Sequence, residues 1–140
     1  MCPEAVTPSS KSHSARRYYT ILVVDDDPVV RQVIRQTLIK EGYKTLKAKS
    51  GKEAFEACAD YENPIDLMVT DVIMPGMNGR QLVYLLKNMR PRMKCLFMSG
   101  HAESEIASRG LLHYEDEFIE KTAVSHQLIS KVEAILNQSK

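Results

Sequence analysis

Three consecutive carboxylates, Asp25-Asp26-Asp27, directly follow the apolar run Ile21-Leu22-Val23-Val24. Further along, Leu67-Met68-Val69 leads through Thr70 to Asp71, Cys95-Leu96-Phe97-Met98 leads to Ser99, and Phe118-Ile119 leads through Glu120 to Lys121. Clustered carboxylates repel one another, so a fold that gathered these aspartates would need a compensating cation. A few hard oxygen ligands, with room for waters and phosphate oxygens, describe a Mg²⁺ site. A serine hydroxyl can donate to a phosphoryl oxygen, and a lysine supplies a point charge. Aspartate can itself be the nucleophile and form an acyl phosphate. Phosphoryl transfer asks mainly for positioning and charge neutralisation, and Asp25, Asp26, Asp71, Ser99 and Lys121 offer both if one surface collects them.

The intervening sequence says how they could be collected. Short apolar runs alternate with amphipathic stretches, the signature of repeated βα units and a parallel sheet. Strands are expected at Thr20–Val24, Tyr43–Ala48, Asp66–Thr70, Cys95–Met98 and Phe118–Ile119. Continuous apolar runs such as Ile21-Leu22-Val23-Val24 suit strands covered on both faces. A first helix should open at Pro28 under an Asp27 cap, with Val30, Val33, Ile34 and Leu38 on one face. A second begins at Ser50, where Glu53 completes a Ser-x-x-Glu pattern, and runs to about Asp60. A third follows Asn78-Gly79 with Leu82, Leu85, Leu86 and Met89 as its stripe, and stops before Pro91. A fourth, Glu103–Arg109, is short and poorly patterned, and a fifth carries Leu128, Val132, Ile135 and Leu136. Five strands and five helices in alternation predict a doubly wound, five-stranded parallel α/β sandwich. Right-handed crossovers put every strand's carboxyl end along one edge, where open α/β sheets bind ligands.

Bulk composition is compatible with this and excludes several alternatives. At 140 residues the chain has one domain's length, with 44% hydrophobic and 26% charged content. A net charge of +1 and no basic run beyond Arg16-Arg17 argue against nucleic-acid binding by this chain alone. No apolar run approaches a membrane span, and no secretory h-region follows the first basic residues. The three cysteines, Cys2, Cys58 and Cys95, form neither a C-x-x-C pair nor a Cys/His cluster, so reduced thiols in a cytoplasmic protein are expected. Residues 1–18, rich in Ser and Pro, have the composition of a disordered tail or linker. The domain is expected over 19–140.

The motifs at the strand ends resemble the response-regulator receiver family of two-component signalling. They are Ile21 to Asp27, the run from Asp66 to Gly79 with its Asp71-Val72-Ile73-Met74-Pro75 core, Phe97-Met98-Ser99-Gly100, and Phe118-Ile119-Glu120-Lys121. The match covers nearly everything from Tyr19 onward. The resemblance implies a flavodoxin-like sheet of order 2-1-3-4-5, with Asp71 as phosphoacceptor. It assigns Mg²⁺ to Asp25, Asp26, Asp71 and the backbone carbonyl of Ile73. Ser99 becomes a switch hydroxyl, Lys121 the phosphate-contacting lysine, and Phe118 a switch aromatic that turns inward on phosphorylation. The implied donor is a histidine on a sensor kinase or phosphotransfer protein, and the output is contact with a downstream protein. Such a domain is a signalling module that assists its own phosphorylation rather than an enzyme. Phe97-Met98-Ser99-Gly100, the weak fourth helix and the linker-like N-terminus resemble receivers fused to hybrid sensor histidine kinases, though a free-standing regulator is also compatible. Thr122 departs from the family, which usually has proline after the lysine. A cis bond before a non-proline residue costs about 2.5–4 kcal/mol, so a trans bond is expected here. Ile73 and His101 flank the site, and bulky Ile73 is expected to hinder an attacking water.

Plainer readings exist for each residue. Asp27 could be only a helix cap, Asp71 a turn residue before Pro75-Gly76, Lys121 a surface lysine and Phe118 core. His101 reads as a loop histidine rather than a relay histidine. A rival chemistry takes Asp25-Asp26-Asp27-Pro28-Val29 as the D-x-D-x-V motif of haloacid-dehalogenase-like phosphatases, with Asp25 as nucleophile and Asp27 as acid. That reading lacks an acidic pair after Lys121 and leaves Asp71 without a purpose.

Overall fold

The run Ile21-Leu22-Val23-Val24 has no exposed surface at all, because the strand it forms is flanked by strands on both edges and by helices on both faces. The structure, a computed structural model, describes residues 19–137. Its five strands are β1 (Thr20–Val24), β2 (Lys44–Ala48), β3 (Leu67–Asp71), β4 (Lys94–Ser99) and β5 (Glu117–Glu120). They pair in parallel in the order β2-β1-β3-β4-β5, the flavodoxin-like order. Interior β1 and β3 are buried along their whole length, as strands covered on both faces must be. The edge strand β2 is Lys-Thr-Leu-Lys-Ala and mostly accessible, and charged residues on an edge discourage pairing with another chain.

Successive strand residues point to opposite faces, and the core divides accordingly. Ile21, Val23, Leu67, Val69 and Met98 pack with Ile34 and Leu38 of α1 (Pro28–Lys40) and Leu128 and Val132 of α5 (Val124–Asn137). Leu22, Val24 and Met68 pack with Ala54 and Cys58 of α2 (Gly51–Asp60) and Leu82 and Leu86 of α3 (Gly79–Lys87). A smaller cluster of Val72, Phe97, Leu112 and Phe118 lies with Ile106 of α4 (Glu103–Ser108).

The helix starts follow local chemistry. Asp27 accepts from the Val29 and Val30 amides at 2.9 and 3.4 Å, and Pro28 opens α1. Ser50 accepts from the Glu53 amide at 3.2 Å. Asn78 and Gln81 exchange hydrogen bonds of 2.8 and 2.9 Å at the head of α3, a capping box absent from the expected signals. The expected stripes need two corrections. Val33 is 49% exposed and Leu85 43%, because the buried faces run through Val30, Ile34 and Leu38, and through Leu82 and Leu86. Each misplaced residue adjoins a core residue, but one step turns a helix by about 100°. Tyr43 is buried yet precedes β2, and Asp66 precedes β3, where its carboxylate accepts from the Thr20 amide at 2.8 Å. Arg90 clamps the exit of α2 by donating to the carbonyls of Cys58, Tyr61 and Asn63. No described helix is long and apolar enough to cross a membrane. The expected tail at 1–18 lies outside the described residues.

Candidate functional site

In this strand order the chain leaves β1 for β2 on one side and then returns to β3 on the other. The crevice beyond β1 and β3 is therefore the topological switch point, where such sheets bind ligands. Asp25 and Asp26 follow β1, and Asp71 ends β3. Parallel pairing of Val24 with Thr70 in register holds the two strand ends level. Carboxylate oxygens of Asp25, Asp26 and Asp71 come within 4.8 Å of one another. Ser99 ends β4, and Lys121 opens a 3₁₀ turn, Lys121–Ala123, directly after β5. All five expected polar residues thus lie along one sheet edge.

Asp25 is 0% exposed, Asp71 5% and Ser99 1%, whereas Asp26 is exposed. The Lys121 ammonium stands 2.8 Å from Asp71 Oδ2, to which it donates, and 3.0 Å from Asp25 Oδ2. Asp71 Oδ1 accepts from the Ile73 amide at 3.2 Å, and Asp25 Oδ1 from the Asp27 amide at 2.9 Å. Arg31 Nη1 donates to the Asp25 carbonyl at 2.7 Å and holds the loop from α1. The Ser99 hydroxyl oxygen accepts from the His101 amide at 3.0 Å, which leaves its proton free to be donated elsewhere.

Charge in this crevice is unbalanced. Among the described residues three carboxylates face one ammonium, and Asp25 Oδ2 is a buried oxygen whose partner is Lys121, shared with Asp71. Buried charges need pairing or a metal. Burial holds the Asp71 carboxyl above its ordinary range. This outweighs the hydrogen bond and charge of Lys121 and the Ile73 amide, and the Asp25 charge adds to the rise. Burial works to lower the Lys121 pKa, but Asp71 and Asp25 together overcome it and the net shift is upward. The residues present fit a small divalent cation with oxygen ligands: three carboxylates converge, they outnumber the one ammonium, and Asp26 keeps one side open to water.

The remaining expected residues resolve as follows. Phe118, expected to turn inward on phosphorylation, is already inward at 7% exposure and shares a cluster with Phe97. Ile73 is half-buried, and His101 is an exposed loop residue whose Nδ1 lies 3.4 Å from Glu105. Every described peptide bond is trans, Lys121–Thr122 included. Asp27 spends its carboxylate on the α1 cap. Three features had no signal in the sequence. Arg31 is one arginine on a helix. Gly79 follows a cap residue, yet a Cβ there would lie 2.6 Å from the Asp71 carbonyl oxygen. Arg80 and Asp116, 36 residues apart, form a half-hidden ion pair. All three depend on which segments the tertiary fold brings together.

Residues 21–133 match the family model of the response regulator receiver domain. The chain belongs to this family. It is 33% identical over 119 residues to the sensor kinase CckA of Brucella abortus, covering 85% of this chain and 13% of that protein. It is 32% identical over 120 residues to the transcriptional regulator NtrC of Azospirillum brasilense, covering 86% and 24%. The chain therefore spans under a quarter of either relative. Among solved structures, a receiver protein from Sinorhizobium medicae superposes with a TM-score of 0.74 at 31% identity, covering 87% of this chain and 97% of that one. The response regulator TrrA of Thermotoga maritima, solved with Mg²⁺ and BeF, gives 0.68 at 27%, covering 84% and 98%. The chain is a two-component receiver domain whose acidic pocket of Asp25, Asp26 and Asp71 fits a phosphoacceptor aspartate. The phosphatase alternative finds no support in these relatives, and its acid, Asp27, is the α1 cap.

Proposed function

We propose that this receiver accepts a phosphoryl group on Asp71 from a phosphohistidine of a sensor kinase or phosphotransfer protein. An Asp71 carboxylate oxygen bonds to phosphorus as the phosphorus–nitrogen bond breaks, and the electron pair leaves on the imidazole nitrogen, which takes a proton. Asp25, Asp26, Asp71 and the Ile73 carbonyl would hold Mg²⁺, which would supply charge neutralisation for the transferring oxygens. Lys121 supplies a second positive charge beside Asp71, and the Ser99 hydroxyl donates to a phosphoryl oxygen. The change passes through the cluster of Val72, Phe97 and already-inward Phe118 to the protein surface, where a downstream protein reads it. The observation that carries the reading is the pairing of nearly buried Asp71 and Asp25 across one lysine, with the Asp26 carboxylate converging on them.

Residues 19–140 would form this domain and 1–18 its tail or linker, in a cytoplasmic protein. The similarity to CckA supports an origin in a hybrid sensor histidine kinase. Intact-mass analysis after incubation with acetyl phosphate tests the core of the proposal. One phosphoryl gain is expected, requiring Mg²⁺ and lost in Asp71→Asn. A gain that survives Asp71→Asn but vanishes in Asp25→Asn would overturn the assignment.

A further inference from the structure

The Arg80–Asp116 pair is absorbed by none of the roles above. Its two side chains are 14% and 15% exposed, and Asp116 also accepts from the His113 amide at 2.7 Å. The Arg80 guanidinium lies over the Phe97 ring, 4.9 Å from its centre, a cation–π arrangement. Phe97 is the register partner of Phe118 on β5, and both belong to one cluster.

Both ends of the pair reach the phosphoacceptor by short, stiff routes. Arg80 adjoins Gly79, whose amide donates to the Val72 carbonyl at 2.7 Å and whose Cα sits too close to the Asp71 carbonyl to admit a side chain. The head of α3 therefore cannot slide against the Asp71 backbone. Asp116 directly precedes β5, and Lys121 directly follows it. A strand is nearly inextensible, so fixing Asp116 fixes how far Lys121 projects. The loop closes where Lys121 meets Asp71 at 2.8 Å.

We infer that Arg80 and Asp116 are positioning residues for phosphoryl binding: they set β5, and with it Lys121 and Phe118, against Asp71. The inference rests on the receiver-site reading above. It distinguishes the metal's carboxylates, carried by β1 and β3, from the phosphoryl-contacting Lys121, whose place depends on β5 and which pairs with two of those carboxylates. The helix between β4 and β5, α4, is six residues long. The Arg80–Asp116 pair links the head of α3 to the start of β5, while Lys131 and Glu117, 3.8 Å apart, link β5 to α5.

The test uses the full chain and two probes, Mg²⁺ alone and beryllofluoride at saturating Mg²⁺, each titrated calorimetrically, with thermal melts alongside. In Arg80→Met and Asp116→Asn, beryllofluoride affinity should fall about five- to tenfold, the lower range of ordinary site coupling. Mg²⁺ affinity should not fall, because its carboxylates sit on β1 and β3 and a displaced Lys121 only removes a competing cation from Asp25 and Asp71. The double variant should be no weaker than the worse single one, and Arg80→Lys should recover part of the loss. Beryllofluoride binding unchanged in a folded variant would overturn the inference. So would an equal loss of Mg²⁺ affinity, which marks general loosening, or additive losses in the double variant. Failure of the unsubstituted chain to bind beryllofluoride at all would instead refute the site reading.

Discussion

Replacing Asp71 with asparagine should stabilise the metal-free protein. Asp71 is 5% exposed, and its carboxyl is held above its ordinary value of 3.8 chiefly by burial, with Asp25 adding repulsion. A raised native pKa means that the folded state binds the proton more tightly than the unfolded chain does. Folding stability from this group is complete below 3.8 and is lost as pH rises through the native pKa. Above its native pKa the ionised Asp71 therefore opposes folding. Lys121 and the Ile73 amide use different Asp71 oxygens, at 2.8 and 3.2 Å. The single asparagine oxygen therefore serves one of them and the other hydrogen bond is lost, while Lys121 keeps Asp25 at 3.0 Å. Removing one partner of a buried pair destabilises when it strands the other charge, but here Lys121 keeps Asp25. Relief of the buried charge should therefore stabilise within the span of an ordinary single substitution, up to about 3 kcal/mol. The lost Lys121–Asp71 attraction offsets part of this, which leaves about 1 kcal/mol. For a domain of this size that is roughly 3–5 °C in Tm. Thermal and urea melts in EDTA at pH 7 should rank Asp71→Asn above the parent, and the gap should close as pH falls below the ordinary carboxyl value. Mg²⁺ at about 100 times its Kd should then add about 2.7 kcal/mol to the parent and less to the variant, reversing the order. A variant less stable than the parent in EDTA at pH 7 would refute the reasoning. It would mean that the Lys121 pairing outweighs burial.

Two further outcomes follow from the packing around the site. Gly79→Ala should cost about 2–3 kcal/mol in urea unfolding, the upper part of the usual overpacking range, because its Cβ would meet the Asp71 carbonyl at 2.6 Å and the Val72 Cα at 3.1 Å. Backbone atoms of a buried strand end have nowhere to go, whereas at Gly51 the obstacle is the flexible Met77 side chain. In a Cys2→Ser background, Cys58 and Cys95 should react with a thiol reagent at pH 8 more than about tenfold slower in the native protein than in urea. Burial pushes both thiols upward, and Asp116 adds to the rise at Cys95. Rapid labelling of the folded protein would show that one of them is open to solvent.

Element types, their order and the polar residues at the strand ends were legible in the sequence because each rests on local rules. A continuous apolar run makes a strand covered on both faces, and Asp27-Pro28 and Ser50 start helices through their own side chains. Strand limits were less legible, since Tyr43 and Asp66 are apolar or capping neighbours that a pattern cannot tell from strand residues. The faces of Val33 and Leu85 were misread for a related reason: composition shows that a helix is amphipathic, while the neighbouring elements decide which residues form its buried centre.

The residues that can act on a phosphoryl group are thus a property of the sequence, carried by Asp25, Asp26, Asp71, Ser99 and Lys121. Tertiary structure alone decided that Lys121 bridges two carboxylates, that Asp25 is fully buried beside it, and that Phe118 is already inward. It also decided the contacts of Gly79 and the Arg80–Asp116 tie. Those facts depend on distances between segments dozens of residues apart. Such distances are fixed only when the sheet closes its register and burial sets the dielectric around each charge.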